Sequence, residues 1–323
     1  MGIGPEVSVR AAADLRGAVR AVLVGDLGVL KRAARVVGVD EQRLVPFGDQ
    51  APPRGKIAVL EVEPRLGPRD ARPGQPTPKA GAAQLAYVEA AYALVKAAPR
   101  RRALVTGPVS KAAIARSGLA RARRFLGHTE WLRDLDGAKN SVMCFAADRL
   151  VTSLVTTHMP LSDVPAALSA ASVCEATIEL GELLRGLGAE RPRLAVTSLN
   201  PHAGESELLG DEERRAIVPG IRAAQKRLGR RAVVEGPMGA ETAYRKAYAG
   251  HYAGVVAMYH DQATIPMKLV AFGDAVNVTM GLGIVRTSVD HGTAYDIAGS
   301  GRADASGMQA AMQLALRLIQ TRK

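Results

Sequence analysis

The chain is poor in cysteine and in aromatic residues, and it has no long apolar run. Two of its 323 residues are cysteine, Cys144 and Cys174, far apart and without CxxC spacing. That excludes a disulfide framework and a thiolate metal site and fits a reducing compartment. Aromatics make up 4% of the residues, so the core must be built from Ala, Val, Leu and Ile, which suits helices layered on parallel strands. No apolar stretch approaches the roughly eighteen residues of a spanning helix, and residues 1–9 carry no apolar signal core. A cytoplasmic protein without a membrane partner is expected.

Charge is abundant and one-sided. Lys and Arg number 43 against 31 acidic residues, a net charge of +12. The excess is mostly scattered arginine, with local clusters at Arg100, Arg101 and Arg102, at Arg121, Arg123 and Arg124, and at Arg227, Arg230 and Arg231. No aromatic side chains interleave with these clusters to stack bases, so the charge points to an anionic small molecule and not to nucleic acid.

Short apolar runs alternate with longer helical patterns, the signature of βαβ units. Strands are expected over 21–24, 57–62, 103–105, 142–146, 150–155, 194–198, 254–258 and 275–279, and helices over 80–98, 175–187 and 212–228, the last with Asp211 as its N-cap. Ala147, Asp148 and Arg149 join two runs as a hairpin, which inserts an antiparallel pair into a parallel sheet. Residues 46–78 form a Pro- and Gly-rich loop around one strand, long enough to imply a function. Two domains are expected without a spacer, with crossings near residues 135–138 and 273.

Five of the expected strands run into polar loops: TGPVSK after Ala103, TTHMPL after Leu150, SLNPHAGE after Leu194, MYHDQ after Val255 and GLGIVRTS after Ala275. Ligands of open α/β sheets bind outside the carboxyl ends of the strands, so these loops predict one composite site. His158, His202 and His260 each follow an apolar run. Either each imidazole bonds locally at a strand end, or the three together hold a divalent ion and leave a fourth position for substrate.

His128 and Thr129 lie in FLGHTEWL, where Thr129 reads as a ligand group, as a helix N-cap, or as both. Lys268, Asn277 and Arg286 follow at nine-residue intervals beside apolar runs. A cation buried there has to meet an anion, either a protein carboxylate or a ligand phosphate. HGTAYDIAG, with His291, Asp296 and Gly299, reads as a ligand loop ahead of the last helix. GxGxxG and GxxxxGKS are both absent. Ser110 and Lys111 read as a helix start with a surface lysine in preference to a reactive pair.

GIGPE (2–6), TGPVSK (106–111), GHTE (127–130), TTHMPL (156–161), LNPHAGE (199–205), YHDQ (259–262) and RTSVDHGTA (286–294) occur in this order along nearly the whole chain. In this the sequence resembles the 4-hydroxythreonine-4-phosphate dehydrogenase family of pyridoxal phosphate biosynthesis. The resemblance implies two α/β/α domains around a mostly parallel mixed sheet, like the isocitrate and isopropylmalate dehydrogenases, with the active site in the interdomain cleft at a homodimer interface. It implies a cofactor-side domain of residues 1–135 plus 274–323, and a metal, substrate and dimerisation domain of residues 136–273.

The same resemblance implies NAD or NADP and a divalent zinc, magnesium or cobalt ion on His158, His202 and His260, with His260 donated by the neighbouring subunit. Substrate contacts carry over to His128, Thr129, Lys268, Asn277 and Arg286, and cofactor contacts to His291, Gly292, Thr293 and Asp296. Lys268 or Asp261 would move protons. The implied reaction oxidises 4-phosphooxy-L-threonine to 2-amino-3-oxo-4-phosphooxybutanoate, which decarboxylates to 3-amino-2-oxopropyl phosphate. Alternatives are a paralogue acting on D-threonate or D-erythronate 4-phosphate or on a dihydrodiol carboxylate, and a non-catalytic metal- or ligand-binding homologue.

Two departures stand out. The family leads a strand into GDPAGIGPE, whereas this chain starts at Met1 inside that motif. Glu241 in GPMGAET stands where the family has Asp, and one extra methylene re-aims a carboxylate, which bears on the choice of hydroxy acid.

Overall fold

A computed structural model describes residues 1–15, 19–48, 50–271 and 273–321. The chain divides into two compact units, residues 1–139 with 282–315 and residues 140–281 with 316–323.

The first unit begins with α1 (Gly4–Asp14), β1 (Val22–Gly25), α2 (Leu27–Val36), β2 (Leu44–Pro46) and β3 (Ile57–Glu61). It continues with α3 (Pro78–Lys96), β4 (Ala103–Thr106), α4 (Lys111–Ala115) and α5 (His128–Asp136). Local chemistry sets the helix starts. Asp26 accepts from Val29 N at 2.8 Å, Thr77 from Ala80 N at 3.1 Å ahead of Pro78, and Ser110 from Ala113 N at 3.1 Å. β1, β3 and β2 form a parallel sheet in that order. Val9, Leu30, Leu44, Ile57 and Val59 are buried around it. A second cluster packs Leu85, Val88, Ile114, Phe125, Trp131 and Leu132 together and forms the floor on which α5 rests.

The second unit contains β5 (Val142–Ala146), β6 (Val151–Leu154), α6 (Val164–Ala167), α7 (Ala170–Gly186), β7 (Arg193–Thr197) and α8 (Val218–Leu228). β8 (Val233–Met238), α9 (Ala240–Tyr248), β9 (Gly254–Ala257), α10 (His260–Ala271) and β10 (Val276–Met280) complete it. Its strands run in the order β10-β5-β6-β9-β7-β8. The pairs β10–β5 and β5–β6 are antiparallel, and β6–β9, β9–β7 and β7–β8 are parallel. The expected hairpin is present and closes with Ala147 N donating to Leu150 O at 2.9 Å. Every residue of β5, β6 and β9 is buried, which is why β5 and β9 read as unbroken apolar runs, while β6 carries only the small hydroxyls of Thr152 and Ser153 between its apolar ends. The chain then returns to the first unit with β11 (Val285–Ser288), parallel to β4, and ends in α11 (Ser306–Thr321).

β2, β8 and β11 were not expected. β2 is three residues long; β8 carries Glu235, Gly236 and Pro237, which an edge strand tolerates; and β11 hides a buried arginine in what would be its apolar run. Asp211 is not an N-cap. A π turn over Glu213–Ile217 precedes α8, and the Asp211 carboxylate pairs instead with Arg214 at 3.1 Å and Arg215 at 3.3 Å. Among the described residues no helix is long and apolar enough to cross a membrane.

Candidate active site

In the first unit the carboxyl ends of β4 and β11 and the start of α5 supply one group of side chains. Arg286 on β11 is 3% exposed. Its Nε and Nη2 donate to Thr106 Oγ1 at 3.2 and 2.7 Å, and Thr106 is itself held through its carbonyl by Ser288 Oγ at 3.1 Å. Burial pushes the guanidinium down to about 10, with the nearby Glu130 carboxylate opposing the shift. Arg286 therefore remains a cation at neutral pH, in a place where a cation is costly.

α5 begins at His128, with Gly127 at the N-cap position and no side chain capping it. Thr129 thus lies in the first turn and is not the cap. The reason is close approach: a Cβ on Gly127 would stand 2.9 Å from Glu130 Oε2 and 3.5 Å from Lys111 Nζ. Lys111 is the surface lysine at a helix start that the sequence suggested, exposed behind the Ser110 cap, and its ammonium also lies against the start of α5. His128 stacks edge-on against Phe125 at 6.1 Å. Its imidazole is pushed down to about 3, first by burial and then by Arg286 and Lys111. A neutral imidazole, the first-turn N–H groups of a helix and two cations form a surface suited to an anion.

His128 also carries a stability signature. Its ordinary value is near 6.5 when unfolded and about 3 when folded, so between those pH values the unfolded chain binds the extra proton. The contribution is fully present above about pH 6.5 and is lost as pH falls toward 3. His128→Asn is expected to flatten that part of the curve in urea unfolding measured at pH 7, 5 and 4. An unchanged acid dependence would show that the imidazole is not held neutral.

In the second unit the ends of β6, β9 and β7 carry the three histidines. His158 and His260 adjoin within the one chain, with ring centroids 5.5 Å apart, whereas the resemblance has His260 come from a neighbouring subunit. His260 Nδ1 lies 2.7 Å from Asp261 Oδ1. That contact assigns the ring proton to Nδ1 and leaves Nε2 as a donor atom for an ion. His202 is exposed on a turn in which it and Ala203 adopt φ values of 50° and 55°. Glu213 braces that turn by accepting from Leu199 N at 3.0 Å and Asn200 N at 2.9 Å. Among the described residues of the single chain, no three His, Cys, Asp or Glu side chains are grouped closely enough to hold an ion. The donor chemistry nevertheless fits a divalent ion: two adjoining imidazoles, one of them with its tautomer fixed by a carboxylate.

Asn277 sits half-buried on β10, paired in register with Phe145. Lys268 is not buried, contrary to the apolar character of its surroundings in sequence. Gln262, Ala263 and Met267 take the inward face of α10, and the helical period turns Lys268 outward with Ile265 and Leu269, exposed 60% and 80%. Glu241 lies exposed in the first turn of α9, bonded to Thr242 at 2.8 Å and Arg245 at 3.0 Å.

The glycine-bearing loop after β11 is tied to the amino-terminal motif. Ile3 N donates to Thr293 O at 2.9 Å, and Gly299 N to Glu6 Oε1 at 2.7 Å. A Cβ on Gly2 would come within 2.4 Å of Thr293 O, so only glycine fits there. His291, Gly292 and Asp296 remain exposed, while Thr293 is part-buried.

Histidines past the ends of parallel strands, a surface suited to an anion and a glycine loop without a dinucleotide fingerprint are the features of an α/β enzyme. Residues 18–315 match the family model of the pyridoxal phosphate biosynthetic protein PdxA. The chain is 42% identical over 322 residues to a 4-hydroxythreonine-4-phosphate dehydrogenase of Desulfosudis oleivorans, covering 98% of this chain and 92% of that one. It is 38% identical over 323 residues to a D-threonate 4-phosphate dehydrogenase of Pectobacterium atrosepticum, covering 98% and 96%. The crystal structure of a 4-hydroxythreonine-4-phosphate dehydrogenase from Klebsiella pneumoniae aligns with a TM-score of 0.83 at 34% identity, over 99% of this chain and 96% of that one. The chain belongs to the PdxA family and is an enzyme of the dehydrogenase type, and its mixed, mostly parallel α/β fold is the one the motifs implied.

Proposed function

We propose that the protein oxidises 4-phosphooxy-L-threonine at its C3 hydroxyl with NAD or NADP, and that the resulting β-keto acid decarboxylates to 3-amino-2-oxopropyl phosphate. The observation that carries this reading is the grouping of Arg286, Lys111 and a neutral His128 at the start of α5, an arrangement suited to an anionic ligand. Arg286, Thr129 and His128 would bind the anionic groups of the substrate, with Asn277 and Lys268 as further contacts. His158, His202 and His260 would hold a divalent ion, zinc, magnesium or cobalt, which when bound polarises the hydroxyl and the later ketone. Proton movement would fall to Lys268 or Asp261, both exposed on α10. Thr293, with exposed His291, Gly292 and Asp296, would line the cofactor's adenosine side.

A homodimer fits the exposed apolar side chains Leu161, Leu208, Ile265 and Leu269, each at least 60% exposed, because such surface is normally covered. A cytoplasmic location fits a chain without a spanning helix among its described residues.

The second reading, oxidation of D-threonate or D-erythronate 4-phosphate, is favoured by the similarity to the Pectobacterium enzyme. A panel of these substrates with both cofactors, following cofactor reduction, separates the readings. Turnover of phosphothreonine at a kcat/KM at least about tenfold above the sugar-acid phosphates, a difference of ~1.4 kcal/mol, is the expected result. Turnover of threonate phosphate alone would replace the first reading with the second, and no turnover of any member would leave a binding protein.

A further inference from the structure

One buried side chain joins the roots of all three histidine loops, and it is neither a charged group nor a histidine. Gln262, in the first turn of α10, is 9% exposed. Its Oε1 accepts from Met258 N at 2.6 Å and from Thr197 Oγ1 at 2.8 Å, and its Nε2 donates to Ser198 O at 2.8 Å. Only this orientation of the amide satisfies all three partners, since two of them are donors and one is an acceptor. Met258 extends the link. Its carbonyl accepts from Thr156 N at 3.1 Å and Thr156 Oγ1 at 2.7 Å. Thr156 stands two residues before His158, Met258 two before His260, and Ser198 four before His202.

We infer that Gln262 is the positioning residue of the histidine site: its amide locks the ends of β9 and β7 together and, through the Met258 peptide, the end of β6. The inference rests on the reading that these histidines hold a divalent ion. No aliphatic side chain can replace the amide, because each of the three partners would be left buried and unsatisfied, at a cost that falls on the loop roots. A glutamate keeps the two acceptor contacts and sets an oxygen against Ser198 O. It therefore weakens the hold on the His202 loop, which keeps only the Thr197 contact, while leaving the other two tied.

The test uses the full-length protein loaded with Co(II), reading affinity by competition with a chelator, the visible ligand-field spectrum, and the melting temperature. Gln262→Met is expected to bind Co(II) about 10- to 100-fold more weakly, with an altered spectrum, as for other residues that orient metal ligands. Gln262→Glu is expected to lose less. Thr152→Val is the structural control. Thr152 is fully buried in the same sheet, bonded to Tyr244 Oη and Val255 O at 2.8 Å each, and joins β6 to β9 within the strands, away from the loop roots that Gln262 holds. It should lower the melting temperature without changing Co(II) affinity.

Wild-type Co(II) affinity in Gln262→Met would overturn the inference, as would an equal loss in Thr152→Val. If Gln262→Met does not fold, Thr197→Val removes one of the three contacts and should weaken Co(II) severalfold; no weakening overturns the inference in the same way. His158→Ala separates the two levels. If that variant keeps Co(II), the ion assignment itself fails, whatever Gln262 does.

Discussion

Replacement of His158 by alanine is expected to lower kcat/KM by at least about a thousandfold and to strip the protein of tightly held divalent ion, with a melting temperature within a few degrees of the parent. The size follows from the several kcal/mol that a polarising cation contributes to an alkoxide-forming step, at about 1.4 kcal/mol per tenfold. The small stability effect follows from position: His158 is exposed at a strand end, and exposed substitutions away from caps and cores usually change stability by about 0.5 kcal/mol or less. Metal content after dialysis and the rate of cofactor reduction measure the two halves separately. Parental turnover that survives both the substitution and a chelator would mean that the histidines are local strand-end groups, the alternative their sequence positions leave open. Because His158 and His260 adjoin at 5.5 Å in one chain, His260→Ala should behave in the same way. Asp261→Asn, which keeps the ring but weakens the hold on its tautomer, should cost about 10- to 100-fold in ion affinity.

The histidine loops were legible in the sequence because apolar residues open or fill β6, β7 and β9, with only small hydroxyl side chains, Thr152, Ser153 and Thr197, among their buried residues. The larger polar groups begin past the strand ends, in TTHMPL, LNPHAGE and YHDQ. β11 was illegible for the converse reason. Arg286 occupies the centre of a four-residue strand whose side chains are all buried, and a charged residue in a short run looks like a break. What no pattern conveys is pairing at a distance. Lys111 belongs to a helix start in sequence, and only the approach of Gly127 brings its ammonium to His128. Gln262 is one polar letter in YHDQ until the parallel pairing of β7 with β9 carries Thr197 and Ser198 to its amide. The partners of Glu241 are its own helix neighbours Thr242 and Arg245, so the motif alone overstated what the extra methylene can reach.

Arg286→Met is expected to raise KM for the phosphorylated substrate so that kcat/KM falls by about a hundred- to a thousandfold, ~3–4 kcal/mol, in the range for truncating one side of a buried charged contact. Methionine is close in volume to the aliphatic part of arginine and preserves the packing of β11 against β4, so substrate affinity should fall far more than the melting temperature. Arg286→Lys keeps a charge but not the planar fork and should recover only part of the loss. Thr106→Val removes the hydroxyl that accepts from Nε and Nη2 and should cost about tenfold, the value of one hydrogen bond to a charged group. An independent readout distinguishes loss of the cation from loss of shape. With Arg286 gone, one of the two charges depressing His128 disappears, so its pKa should move upward from about 3 in Arg286→Met and stay low in Arg286→Lys. Burial is the larger cause, so the imidazole should still titrate below its ordinary value. NMR titration of His128 reads this directly. A weakened substrate without any movement of His128 would mean that Arg286 supports the site by packing alone, and the buried cation would no longer argue for an anionic substrate.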